Sequence, residues 1–246
     1  MESPFLHASG LLRYIGLFLS GVCHQLPEHS LQAAGVQLPL CARCTGTYLG
    51  ALTALLYFAY RGRSRSSWLP PLRVIAVLAL AFFFWAVDGV NSYLQLIPNA
   101  PSLYNPANPL RLLTGSMLGV GLMAILLPTF RQVIWVEPDP APVLHSWRQI
   151  GALVGLVVLV DLIVLWENPL LIYPLAILSS LTVPLILSMV YAILLTMLVK
   201  RENQARRWAD LWLILVAAAG MALLQIALMD WIRYALTGTW GGFFAS

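Results

Sequence analysis

Long apolar runs separated by short polar clusters dominate the chain. A helix rises 1.5 Å per residue, so about 20 apolar residues cross the roughly 30 Å hydrocarbon core of a bilayer. Runs of this kind predict seven spans: Phe5–Val22, Cys44–Tyr60, Leu72–Asn91, Leu110–Phe130, Ile150–Trp166, Leu170–Val199 and Leu211–Tyr234. The third can continue to Ile97. The sixth is long enough to tilt, or to kink at Pro174 or Pro184. The first has an alternative as an interfacial helix lying on the membrane, which leaves six spans. Segments 98–109 and 136–142 are rich in proline and read as loops. The expectation is an all-α polytopic transmembrane helix bundle of about seven spans. Residues 1–130 carry nearly all the unusual polar groups. Residues 131–246 add three further apolar spans to the same membrane domain.

Composition narrows the class. Of 246 residues, 60% are hydrophobic and 10% charged, against about 25% charged in a typical soluble domain. A water-soluble fold with so few charges would expose large apolar patches, so a soluble enzyme is excluded, and so is a disordered chain. The expected surroundings are the lipid bilayer. Phe5–Val22 contains Arg13 and lacks a small-x-small cleavage site, so it does not read as a cleavable signal peptide.

The net charge of +4 does not point to nucleic acid, because the basic residues sit in clusters between apolar runs. Arg61, Arg63, Arg65 and Arg73 follow the second span. Arg131 and Arg148 follow the fourth, and Lys200, Arg201, Arg206 and Arg207 follow the sixth. These ten share one side if every span crosses once. The other side holds Arg43, Arg111 and Arg233. The positive-inside rule makes the ten-charge side cytoplasmic. The expected setting is therefore a multi-pass protein of the cell membrane with a cytoplasmic N-terminus.

That orientation gathers the candidate chemistry near the extracytoplasmic face. Cys23 and His24 end the first span, and Cys41 and Cys44 begin the second. Asp88 and Asn91 lie near the outer end of the third, and Asn108, Arg111 and Thr114 begin the fourth. Polar groups at this depth usually face a bundle interior or a water-filled cavity. The chain has three cysteines, all in this cluster. Cys41 and Cys44 form a C-x-x-C, a spacing that lets two sulfurs share one metal ion or close a short disulfide. Cys23 and His24 can complete a Cys₃His set suited to zinc or another transition metal. His29 and Asp88 are spare ligands, since adjacent residues rarely both ligate one ion. The spacing is not that of a haem attachment motif.

Cys23-His24-Gln25-Leu26-Pro27-Glu28-His29-Ser30, followed by Pro39-Leu40-Cys41-Ala42-Arg43-Cys44-Thr45-Gly46, resembles the signature of an uncharacterised prokaryotic membrane family, domain of unknown function 2085. Its pattern is Cys-His-x-x-Pro-x-Arg-Ser, then Pro-x-Cys-x-Arg-Cys-Thr-Gly, an Asp-Gly pair and Asn-x-x-Arg-x-x-Thr-Gly. Asp88-Gly89 and Asn108, Arg111, Thr114 and Gly115 match the later parts. His29 stands where the family has Arg. The resemblance covers roughly residues 10 to 125 and implies a membrane protein without an assigned activity.

Several readings of these residues stay open. The cysteines can hold a metal, act as redox thiols, or form a static Cys23–Cys41 disulfide. A helix N-terminus and Arg43 would lower the thiol pKa of the C-x-x-C. That resembles in arrangement membrane enzymes that pass electrons from a Cys pair to a quinone, though those generally use a second pair. Arg43 and Arg111 can snorkel to headgroups, or hold an anionic group. Arg111 is the expected partner of Asp88. Asn108 is expected to cap the fourth helix ahead of Pro109. Thr45-Gly46 and Thr114-Gly115 suit close helix approach. Asp161 is open between a proton relay and a buried hydrogen bond, and Asp230 is expected to bond Arg233 at i, i+3. Candidate catalytic residues are Asp88, Arg111, Asn108 and Arg43, and candidate metal ligands are Cys23, His24, Cys41 and Cys44. The leading expectation is an extracytoplasmic-face metal site, structural or catalytic. The alternatives are a thiol–disulfide oxidoreductase and an accessory or scaffold subunit packing against other membrane subunits. A transporter is disfavoured by the absence of repeats and of matched broken helices.

Overall fold

The computed structural model describes residues 10–33, 36–60, 66–95, Ile97 and 101–238. Among them are seven α-helices: α1 Leu11–Phe18, α2 Ala42–Tyr60, α3 Leu72–Leu94, α4 Asn108–Ile134, α5 Trp147–Leu165, α6 Pro169–Leu198 and α7 Trp212–Thr237. Two small sheets accompany them. β1 (Ser30–Ala33) pairs antiparallel with β2 (Val36–Cys41), and β3 (Ser66–Trp68) pairs parallel with β4 (Asp139–Pro142). Arg61, Arg63 and Arg65 of the charge count lie outside the described residues.

The helices start where local chemistry starts them. Ser146 caps α5 in a reciprocal box with Gln149. Asn168 caps α6 ahead of Pro169, whose missing N–H has no role at a helix start. α4 also opens with a proline, Pro109, but its cap position is Ala107. Asn108 is therefore inside the helix and does not cap it. Its side chain instead bonds Ser30 and Arg111.

Five helical segments are long and apolar enough to cross a bilayer: Leu72–Leu94, Asn108–Ile134, Trp147–Leu165, Tyr173–Leu198 and Trp208–Thr237. The architecture is the all-α polytopic bundle that the apolar runs predict. α1 differs. Its 8 residues reach about 12 Å, too short to cross the hydrocarbon core. Residues 5–9 of the expected first span lie outside the described residues. α2 has the length to cross, at 19 residues and about 28 Å, but is less apolar than the five. The reason is packing: its small-residue face is turned to α4 rather than to lipid.

α2 and α4 run parallel in the middle of the bundle, with α3 as the return between them. Each carries a G-x-x-x-G: Gly46 and Gly50 on α2, Gly115 and Gly119 on α4. A methyl group at Gly46 would run into the Leu112 carbonyl, and one at Gly50 into the Ser116 backbone. At Gly115 it would strike the Arg43 carbonyl, and at Gly119 the Thr47 carbonyl. Each helix backbone thus lies in a groove of the other, the close approach that small residues permit inside a membrane. This contact fixes Arg43, at the start of α2, against the start of α4.

The largest apolar cluster draws on both halves of the chain, from Ala51 and Met123 to Leu153, Ile186 and Ala218. Outward faces of α3, α5, α6 and α7 are apolar, as at Phe83, Leu159, Leu181 and Leu224, which suits contact with lipid.

Candidate metal centre

The polar residues gather at the end of the bundle where α2 and α4 begin and α3 and α7 end. After α1 the chain turns through residues 19–26 and a 3-10 turn at Pro27–His29, then enters the β1–β2 hairpin. Gln25 shapes this turn. It is a buried non-glycine residue in the left-handed region, with φ 53°. Its Nε2 donates to the Gly16 carbonyl at 2.7 Å and the Pro39 carbonyl at 2.8 Å, while its own carbonyl accepts from Gln37 Nε2 at 2.8 Å. Such a backbone costs about 1–3 kcal/mol and persists where its surroundings over-determine it. Here three hydrogen bonds do so, and they place His24 and Cys23 beside the end of β2.

Cys41 is the last residue of β2 and precedes α2, rather than opening the helix as the apolar run suggests. Its backbone N–H donates to Cys23 Sγ at 3.2 Å. Cys44 N–H, in the first turn of α2, donates to Cys41 Sγ at 3.5 Å. The ligand atoms of Cys23, His24 and Cys41 all lie within 4.8 Å of one another. Cys44 lies outside that group of three, packed beside Cys23 and Cys41. All three cysteines are free. Cys23 and Cys41 are buried and Cys44 is half-buried.

Tetrahedral zinc, with Zn–S near 2.3 Å and Zn–N near 2.0 Å, spaces its ligand atoms about 3.5–3.8 Å apart. Closing from 4.8 Å needs about 1 Å of side-chain movement. The donor set is therefore one that a soft divalent ion fits, and the adjacent pair Cys23 and His24 both belong to it.

Charge is unevenly placed. The Cys41 thiol is pulled well below its ordinary value by hydrogen bonds from Cys23 and Cys44 and by the nearby His24. The Cys23 thiol is pushed up, first by its hydrogen bond to Cys41 and also by burial. Burial also holds the two imidazoles down. His24 falls below its ordinary value, and His29, against burial and the Arg111 charge, falls to about 4. A neutral imidazole is the form that ligates a metal. His29 Nδ1 lies 3.4 Å from His24 Nε2, so it touches the ring of a ligand candidate.

Beside the thiols is a polar network. Arg43 Nη2 pairs with the Asp88 carboxylate and donates to the Asp88 carbonyl at 3.1 Å and to Ser92 Oγ at 2.9 Å. Tyr104 Oη donates to Asp88 Oδ1 at 2.7 Å, and Thr114 Oγ1 lies 3.5 Å from Asp88 Oδ2. Burial and the Asp88 hydrogen bond push the Tyr104 phenol up to about 12, so it stays a donor. The expected pairing of Asp88 with Arg111 is thus replaced by Arg43. Arg111 is 4% exposed and bonds neutral acceptors: Asn108 Oδ1 at 2.9 Å, Ser92 Oγ at 3.4 Å and the Glu28 carbonyl at 3.4 Å. It has no carboxylate partner among the described residues.

The remaining acids are engaged elsewhere. Asp161 accepts from Ser116 Oγ at 2.7 Å, between α5 and α4. Asp230 was expected to serve Arg233, but its Oδ1 instead accepts from Ser20 Oγ at 3.0 Å and Gly21 N–H at 2.5 Å. Sequence reasoning passed over Gln25, Gln37, Ser92 and Tyr104. Gln25 and Gln37 carried a signal, being amides inside the cysteine pattern, two residues after Cys23 and four before Cys41. Tyr104 lay in a proline-rich loop and carried none.

A family described as "Predicted membrane protein (DUF2085)" matches residues 23–125. An uncharacterized protein of Methanocaldococcus jannaschii is 31% identical over 114 residues, covering 46% of this chain and 67% of the relative. An uncharacterized protein of Methanothermobacter thermautotrophicus is 32% identical over 114 residues, covering 46% of this chain and 90% of the relative. No solved structure matches. The matched range begins at Cys23 and spans Arg43, Asp88, Asn108 and Arg111, so the thiol cluster and its polar network lie within the family region. On these grounds the chain belongs to the predicted membrane protein family of domain of unknown function 2085.

Proposed function

We propose that this protein is a multi-pass cell-membrane protein holding a zinc-like transition-metal ion at its extracytoplasmic face. Cys23, His24, Cys41 and Cys44 are the ligands. The observation that carries the reading is the meeting of Cys23, His24 and Cys41 ligand atoms within 4.8 Å, with Cys44 one turn away on α2. A bound ion ties the turn after α1 to the start of α2. Orientation follows from the ten basic residues assigned to the opposite side.

Charge balance supports the ionised, metal-bound form of the thiols. A buried guanidinium without an acidic partner is unfavourable by several kcal/mol. A divalent ion with three thiolates and a neutral imidazole carries a net charge of −1. Arg111, whose electrostatic neighbours include Cys41, supplies the opposite charge. Asp88, held by Arg43 and Tyr104, and Asn108, held by Arg111, then form the polar wall beside the ion. When bound, such an ion supplies Lewis acidity if a coordination position opens. The wall orients whatever approaches. Lipid surrounds the outer helices, and further membrane subunits are the partners that their apolar faces would accept.

The test is elemental analysis of the detergent-purified protein with a free-thiol count before and after reduction. About one zinc or iron per chain is expected, lost in Cys41→Ser. No metal, with two thiols released only by reduction, would refute the metal reading and favour thiol–disulfide chemistry at Cys41 and Cys44.

A further inference from the structure

We infer that α7, which lies outside the family region, positions the metal ligands: Asp230 and Arg233 grip the Ser20 hydroxyl and the backbone of Gly21 and Cys23, and so present Cys23 and His24. The inference rests on the metal reading for its functional meaning, but the grip itself has an independent readout.

Three contacts make the grip. Asp230 Oδ1 accepts from Ser20 Oγ at 3.0 Å and from the Gly21 N–H at 2.5 Å. Arg233 Nη1 donates to the Cys23 carbonyl at 3.1 Å. Asp230 is 6% exposed and Arg233 3%. One turn earlier, Ile226 is fully buried and packs with Leu19, Cys23, Leu40 and Cys41. Residues at i, i+4 and i+7 share one helix face, so Ile226, Asp230 and Arg233 form a stripe aimed at the ligand turn.

Gly21 shows how close the approach is. A methyl group there would lie 2.6 Å from the Asp230 nitrogen and 2.8 Å from its Oδ1. No other residue lets the turn settle on α7 at this distance. Within the turn the N–H groups of Ser20, Val22 and Cys23 bond the Leu17 and Leu19 carbonyls, while the Gly21 N–H and the Cys23 carbonyl take partners from outside it. α7 supplies them to Gly21 and Cys23. A carboxylate and a guanidinium are costly in a membrane helix and usually mark a function. Here they fix the backbone on both sides of a ligand sulfur, and metal sites need their ligands held within about 0.5 Å. Asp230 and Arg233 are therefore positioning residues.

The experiment uses the full-length protein in detergent, with Arg233→Gln, Asp230→Asn, Arg233→Lys and the lipid-facing control Leu228→Ala. Three quantities are measured: zinc release to a chelating dye, the sulfur-to-metal absorption band after loading with Co2+ alone, and alkylation of Cys23 against Cys44 in the metal-free protein by peptide mapping. Loss of one charge-assisted hydrogen bond predicts zinc release and Cys23 alkylation faster by about tenfold in Arg233→Gln. Cys44 alkylation stays unchanged, the Co2+ band shifts, Arg233→Lys restores most of the protection, and Leu228→Ala matches the wild type. Wild-type rates of Cys23 alkylation in both Arg233→Gln and Asp230→Asn would overturn the inference. If the wild type binds neither Zn2+ nor Co2+, the metal reading fails, while Cys23 alkylation still decides the grip. If Arg233→Gln does not fold, Ser20→Ala removes one contact without touching α7. It should speed Cys23 alkylation by about threefold, and an unchanged rate would overturn the inference equally.

Discussion

The pairing of Arg43 with Asp88, rather than Arg111 with Asp88, has a sharp energetic signature. Arg43→Met removes the ion pair and the bonds from Nη2 to the Asp88 carbonyl and Ser92. Asp88 is 1% exposed, so its carboxylate cannot turn to water. Removing one partner of a buried pair costs about 3–5 kcal/mol. Tyr104 Oη, at 2.7 Å from Asp88 Oδ1, remains as a charge-assisted donor, which places the loss near the lower limit, at about 3 kcal/mol. Asp88→Asn in the same background leaves no unpaired charge, so the double variant should recover part of that loss. The coupling energy should be about 1–3 kcal/mol. The parallel cycle with Arg111→Met should give less than half of that, because Arg111 makes no hydrogen bond to Asp88 and meets the pair at Ser92, whose hydroxyl also accepts from Arg43. Reversible unfolding in mixed SDS micelles, followed by the fluorescence of the nine tryptophans, measures each corner. A larger coupling for Arg111 than for Arg43 would refute the assignment and the account of the site built on it.

Other consequences are open to measurement. Gly119→Ala forces a methyl group to 2.6 Å from the Ala51 nitrogen, and overpacking of this kind costs about 1–3 kcal/mol; an unchanged unfolding midpoint would contradict the close α2–α4 contact. His29, held down to about 4, refuses a proton that the unfolded chain takes up near 6.5, so stability should fall as pH drops from 6.5 toward 4 and level off below. His29→Gln should flatten that slope, and an identical pH profile would remove His29 as its source. Ser116→Ala deprives the buried Asp161 of its 2.7 Å hydrogen bond and should destabilise the protein by about 1–3 kcal/mol; a neutral effect in the same micelle assay would show that Asp161 finds another donor. Stripping the metal with a chelator should lower the melting temperature of the wild type and leave Cys41→Ser unmoved, and equal shifts in both would argue against those ligands.

Much of the bundle was legible because lipid imposes a length and a polarity on each span. Leu72–Leu94 and Trp147–Leu165 could be placed from apolar runs alone. α2 was placed as well, Cys44–Tyr60 against the observed Ala42–Tyr60, although it is polar where protein shields it from lipid. α1 was less legible, because it sits in an apolar run that extends past its helical part. The cysteine cluster was readable from spacing, since three cysteines and the span ends converge on one level. The partner of Asp88 was not. Arg43 and Arg111 fall at the same depth, and their choice depends on the α2–α4 contact. That contact was written in Gly46, Gly50, Gly115 and Gly119, a signal present in the sequence whose register with Arg43 needed the three-dimensional packing. The β1–β2 hairpin was hidden because its inner residues, from Gln37 to Cys41, are all buried and show no alternation.

The parallel pairing of α2 with α4 sets an order of assembly. Chains emerge N-terminus first, so Cys23, His24, Cys41 and Cys44 leave the ribosome before the groups of α3, α4 and α7 that pack around them. Cys23 through Cys44 must wait for α3 to bring Asp88, for α4 to bring Arg111, and finally for α7 to take hold of Ser20, Gly21 and Cys23. A nascent chain therefore carries its thiols without these contacts until α7 is in place. A fragment ending before α7 would lack the contacts of Asp230 and Arg233 with Ser20, Gly21 and Cys23.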